Sequence, residues 1–150
     1  MKSQYEKKRL ITFDRIKIKS NYKYLLNTKV KFNEMFHSRS GEKIGIFYSS
    51  KDDINIPYNL YIAVSYIKQT LTLEFSSKIL KEKYPDLISR DTIKECLTNI
   101  NQLHICDIDV DSILSNGAIT SVDVTYDANL ILSDNLLNIL NSQVTNYRRF

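Results

Sequence analysis

Residues 15–19 run Arg-Ile-Lys-Ile-Lys and residues 70–76 run Thr-Leu-Thr-Leu-Glu-Phe-Ser. Strict alternation sends successive side chains to opposite faces, so each segment is an expected strand with one apolar and one polar side. In 11–19 the apolar side holds Ile16 and Ile18, and the other holds Arg15, Lys17 and Lys19. In 70–76, Leu71, Leu73 and Phe75 oppose Thr70, Thr72, Glu74 and Ser76. Residues 58–67 are rich in aromatic and β-branched side chains and are parted from 70–76 by Lys68 and Gln69, which predicts a hairpin. A further strand is expected at 43–48, between a turn at 38–42 around Gly41 and a polar connection at 51–57. Residues 22–36 fit neither period, since Leu25, Leu26, Val30 and Phe32 are spaced irregularly among Lys23, Lys29 and Lys31; loop and irregular helix both remain open.

The period changes at Asp91. Ile93, Leu97, Ile100 and then Leu103 or His104 recur at helical spacing, with Asp91 placed to cap the first turn. Strand alternation returns at 118–127, and Ser133 can cap a closing helix in which Leu137, Leu140, Val144 and Tyr147 form one stripe. The expected order is β-β-β-β-α-β-α in one α+β domain spanning 1–150, a mostly antiparallel sheet with two main helices packed on it. No Gly or Pro stops the last helix, so the chain is expected to be a fragment of a longer fold or a short natural protein.

Only 3 Gly and 2 Pro occur in 150 residues, which favours regular elements over the turn-rich design of a small sandwich. No apolar run approaches the roughly 18–20 residues that cross a bilayer, and residues 1–10 are charged, so a cytoplasmic protein without a membrane partner is expected. In that compartment Cys96 and Cys106 are expected as reduced thiols in the core. The first fifty residues hold 12 Lys or Arg against 4 acidic residues, whereas the remaining hundred hold 9 against 13. The cationic surface is thus expected in the first third of the chain.

Basic residues there alternate with rings: Tyr5 precedes Lys7, Lys8 and Arg9, and Tyr22 and Tyr24 flank Lys23. Near the end Tyr147 precedes Arg148 and Arg149. Rings stack on bases while cations neutralise phosphates, so this mixture suits DNA or RNA; an aromatic core under a charged shell, or a face that meets an acidic protein or a protein-nucleic acid complex, fits it as well. The expected nucleic-acid contacts are Lys7, Lys8, Arg9, Arg15, Lys17, Lys19 and Lys23.

In Ser-Val-Asp-Val-Thr-Tyr-Asp at 121–127, Asp123 and Asp127 share a face but stand about 13 Å apart along a strand, too far for one cation unless the strand bends or ends after Thr125. Glu74 is the better partner for Asp123: if their strands lie side by side, the two carboxylates could hold Mg2+ or Mn2+. A solvated face of acids balanced by lysines is the competing reading. His37 and His104 are isolated, with His104 expected to cap or pack behind the helix, and no Gly-rich phosphate loop or Ser-His-Asp arrangement is present.

Three segments in order, LTLEFSSKIL at 71–80, SRDTIKECLTNINQLHICDIDVDSIL at 89–114 and SVDVTYD at 121–127, resemble the amino-terminal region of phage and plasmid replication proteins that are related to the filamentous-phage gene-two initiators and common in Bacteroidetes mobile elements. The resemblance covers roughly 58–150. It implies rolling-circle initiation, in which a tyrosine nicks origin DNA and keeps the 5′ phosphate while a divalent metal polarises the scissile bond. By this resemblance Glu74 and Asp123 become the first candidates for metal binding and Tyr147 a candidate nucleophile; Asp127, on the strand face of Asp123, completes the candidate metal ligands. Such initiators are much longer than this chain, and the paired histidines of the usual nicking site are missing. A DNA-binding module that does not cleave alone is therefore expected, with two rivals: a mobile-element protein that inhibits a host nucleic-acid enzyme such as a CRISPR-type defence nuclease, and a small metal-dependent nickase.

Overall fold

The computed structural model describes residues 11–124. Its strands are β1 (Phe13–Asn21), β2 (Leu25–Thr28), β3 (Asn33–Phe36), β4 (Lys43–Ser49), β5 (Leu60–Ser65), β6 (Thr70–Ser76), β7 (Cys106–Ile108) and β8 (Ala118–Val124). Two α-helices, α1 (Ile93–Gln102) and α2 (Val110–Asn116), lie on either side of β7 in the chain, and 3-10 turns occupy Tyr22–Tyr24, Ser50–Asp52 and Ser77–Asp86.

Six strands form one antiparallel sheet in the order β3-β4-β5-β6-β1-β8, and β2 pairs with β7 in a small second sheet. The alternation in β1 and β6 explains the centre of the large sheet. Ile16 faces the same side as its partner Phe75, and Ile18 the same side as Leu73. Leu60, Ile62 and Val64 extend that layer across β5, and all of these residues are buried. Cys96, Leu97 and Ile100 of α1 and Ile113 of α2 complete the same core, so the helices cover one face of the sheet. This is the expected α+β domain. Each fully buried Leu or Ile contributes roughly 1.5–3 kcal/mol relative to exposure.

The chain departs from its expected elements where tertiary contacts outweigh local pattern. The ambiguous 22–36 region is neither helix nor plain loop: β2 leaves for the small sheet while β3 takes the edge of the large one, each only four residues long. The turn at 38–42 is built around His37, whose Nδ1 accepts from the amides of Arg39 (3.2 Å) and Ser40 (3.3 Å), with Gly41 at φ +71°. Expected as its cap, Asp91 contributes only its amide, donated to Ser89 Oγ (3.1 Å), to the start of α1. There the first helical amide, that of Ile93, donates to the Ser89 carbonyl (2.8 Å), while Thr92 Oγ1 accepts from the Ser89 amide and donates to the Leu87 carbonyl, both at 2.8 Å. His104 follows α1 at φ +60° and is exposed, so it closes the helix rather than packing in the core.

Unanticipated helix α2 has a clear local cause. Asp109 accepts from the Ser112 amide (3.2 Å) and hydroxyl (2.7 Å), and the chain leaves the helix at Gly117. Cys96 and Cys106 are buried free thiols, and burial pushes both up to about 12 from an ordinary 9.0. No helix among the described residues is long and apolar enough to cross a membrane. The expected closing helix, with Ser133 as its cap, lies outside the described residues.

Candidate nucleic-acid interface

Opposite the helices, the large sheet presents a second face that no helix covers among the described residues. Its make-up follows from register. One cross-strand row runs Ser49, Tyr61, Glu74, Lys17, Ser121. The next runs Asn33, Phe47, Ala63, Thr72, Lys19, Ala118. A third pairs Ser76 with Arg15 and Arg15 with Asp123. All three cations of β1 thus lie on this face, where alternation put them.

The cations are held differently. Arg15 stands between two carboxylates, with Nη1 3.8 Å from Glu74 Oε1 and Nε 3.3 Å from Asp123 Oδ2. Lys17 Nζ lies 3.4 Å from Glu74 Oε2, and Asn59 donates to the same carboxylate at 3.5 Å. The Lys17 and Glu74 side chains are 28% and 23% exposed, so this pair is partly withdrawn from solvent, whereas the Arg15 side chain is half exposed. Lys19 has no ion-pair partner among the described residues and is exposed. An open cleft of about 260 Å3 runs past Arg15, Lys17, Glu74, Ser121, Val122 and Asp123.

This geometry corrects the expected pairing of Glu74 with Asp123. Their strands, β6 and β8, are not neighbours, because β1 runs between them and keeps the two backbones about 10 Å apart. The carboxylates do converge, but on the Arg15 guanidinium, which takes the place a cation would need. As arranged, the two acids serve the cations of β1 rather than forming an open ligand pair, and no group of three His, Cys, Asp or Glu side chains is gathered at metal-binding distance among the described residues.

The remaining expected contacts divide in two. Lys23 is exposed on the turn after β1, its amide donated to Asn21 Oδ1 at 2.9 Å, but the rings beside it face inward. Tyr22 and Tyr24 pack against the core, and the Tyr24 hydroxyl accepts from Asn116 Nδ2 at 3.0 Å. The interleaving of rings with lysine at 22–24 is therefore a core feature under a charged surface. Lys7, Lys8, Arg9, Asp127 and Tyr147 lie outside the described residues.

Linear reasoning missed the rings that do reach the open face. Phe47 and Tyr61 are half-buried neighbours there, with centroids 6.0 Å apart and planes tilted by 32°. Nothing in their spacing along the chain announces this pair, since it arises only from the β4–β5 register, which sets Phe47 opposite Ala63 and Tyr61 opposite Ser49. No protein-family model matches the chain, and neither the curated proteins nor the solved structures searched contain a match.

Proposed function

We propose that the chain is a nucleic-acid-binding module derived from a rolling-circle replication initiator, and that it does not cleave nucleic acid by itself. The observation that carries this reading is the row Arg15, Lys17 and Lys19 on the face of β1 that no helix covers among the described residues. Cations two residues apart on one strand face are about 6.6 Å from each other, close enough to track successive phosphates of one backbone. The segment resemblance at 71–80, 89–114 and 121–127 supports the initiator origin. Arg15 seated between Glu74 and Asp123 supports binding without cleavage, because the acids a metal would need are engaged by a permanent cation.

One observation favours a second reading. Because Glu74 and Asp123 partner two of the three cations, the face alternates in sign, as surfaces that meet proteins commonly do. A mobile-element protein that occupies a host nucleic-acid enzyme, such as a CRISPR-type defence nuclease, would use this face on the enzyme or on its bound nucleic acid.

Fluorescence anisotropy of labelled single-stranded DNA, duplex DNA and RNA at low salt, with and without Mn2+, separates the readings. The proposal expects saturable binding to at least one nucleic acid, unchanged by Mn2+ and without product on a denaturing gel. Absence of binding to all three rejects it in favour of the protein-partner reading, and Mn2+-dependent cleavage lost in Glu74→Ala restores the nickase.

A further inference from the structure

The open face joins two features that the proposed function does not by itself require. The row through Lys19 reaches Phe47, three strands or about 14 Å away, and between these two lie only the small side chains of Thr72 and Ala63. In the adjoining row Tyr61 stands two strands, about 10 Å, from Lys17. The rings of Phe47 and Tyr61 adjoin each other. Along the Lys19 row the face is therefore a low floor with a cationic border on one side and an aromatic border on the other, and Glu74 stands beside it in the row between Lys17 and Tyr61.

We infer that Phe47 and Tyr61 form a base-stacking platform, and that the occupant of the open face is a nucleic-acid strand with unpaired bases. This rests on the nucleic-acid reading above and deepens it. Three points select this occupant. Among the described residues the three cations of β1 exceed the two acids beside them, and Lys19, the one without an ion-pair partner there, borders the floor, so the surplus charge suits a polyanion. Partly exposed rings offer an apolar surface that an unpaired base can cover but a base inside a duplex cannot, since its faces are already stacked. Along the Lys19 row the small side chains of Thr72 and Ala63 leave the sugar-phosphate chain room to lie near β1 and β6 while its bases extend over β5 and β4. An acidic peptide would satisfy the cations but leave the paired rings without a matching contact.

The chain contains no tryptophan, so Phe47→Trp introduces a single indole at the platform as a reporter. An aromatic ring is retained there, and oligo(dT) should quench the indole emission in step with the anisotropy of the same labelled oligonucleotide. Tyr61→Leu should weaken oligo(dT) binding by about tenfold, the loss expected of one stacked base, while Tyr61→Phe should restore it. A hairpin duplex should compete poorly. Oligo(dT) binding with unchanged indole emission, or a preference for the duplex, overturns the platform while leaving nucleic-acid binding through β1 intact. Loss of binding to every nucleic acid in the unsubstituted protein overturns both. A thermal melt of each variant like that of the unsubstituted protein establishes that the fold is preserved.

Discussion

Glu74 shows most clearly how a single side chain distinguishes the readings of this face. As a metal ligand it would be required, and its loss would weaken any metal-assisted event. As the acceptor shared by Arg15 and Lys17, it competes with phosphate for two cations. Glu74→Gln is therefore expected to tighten nucleic-acid binding about twofold to fivefold, the scale of a partly exposed ion pair, with the gain read from anisotropy at low salt. A weaker complex would return the residue to the metal role. The placement of Glu74 opposite Lys17 was only half legible in the sequence: alternation put it on the polar side of β6, but which strand lies alongside depends on pairings between residues more than fifty positions apart. The same limit hid Phe47 and Tyr61, whose proximity is a property of register. Conversely, Tyr22 and Tyr24 stood out by their lysine neighbour and proved to pack inward, because a residue's neighbours in sequence do not decide which side of the backbone its ring takes.

Among the elements, those with a strong internal period were readable and those held by pairing were not. β1, β6 and α1 follow from alternation or helical spacing, and β4 and β5 from their composition and bounding turns, with ends shifted by no more than two residues. β2, β3 and β7 have three or four residues each, too few to display a period, and exist because a partner strand supplies their hydrogen bonds. The segment Ser77–Asp86 buries Ile79 and Leu80 through turns broken at Lys81, and it too has no periodic signature. At α1 the expected cap, Asp91, gives way to Ser89 and Thr92, which close the turn through their own hydroxyls and backbone; Asp and Ser cap about equally well, so residue type alone does not separate them. Urea unfolding should consequently show Ser89→Ala losing about 1 kcal/mol and Asp91→Ala changing stability by less than about 0.5 kcal/mol. Equal losses would contradict this account of the start of α1.

At the scale of the molecule, the large sheet is a divider that, among the described residues, has helices, thiols and nearly all the apolar core on one side and charge with the Phe47 and Tyr61 pair on the other. The burial of Cys96 and Cys106 has a consequence for the whole fold. Both groups titrate higher in the folded chain than the ordinary 9.0, so the folded state holds protons that the unfolded state releases. Their contribution is fully present below pH 9 and is lost as pH rises toward about 12, so stability should fall across that interval. A denaturation series in that range checks the direction, and a thiol reagent at neutral pH should label neither cysteine until the chain unfolds.

The other side of the divider carries the central claim, that the β1 cation row contacts a nucleic-acid backbone. The most direct measurement is the dependence of oligo(dT) affinity on salt for the unsubstituted chain and for the variant with Arg15→Ala, Lys17→Ala and Lys19→Ala combined. The account predicts a linear fall of log affinity with log salt whose slope is shallower by about 2 in the variant, as expected when three phosphate contacts to a single strand are removed. Equal slopes, in proteins that melt alike, would contradict it and place any nucleic-acid contact away from this face.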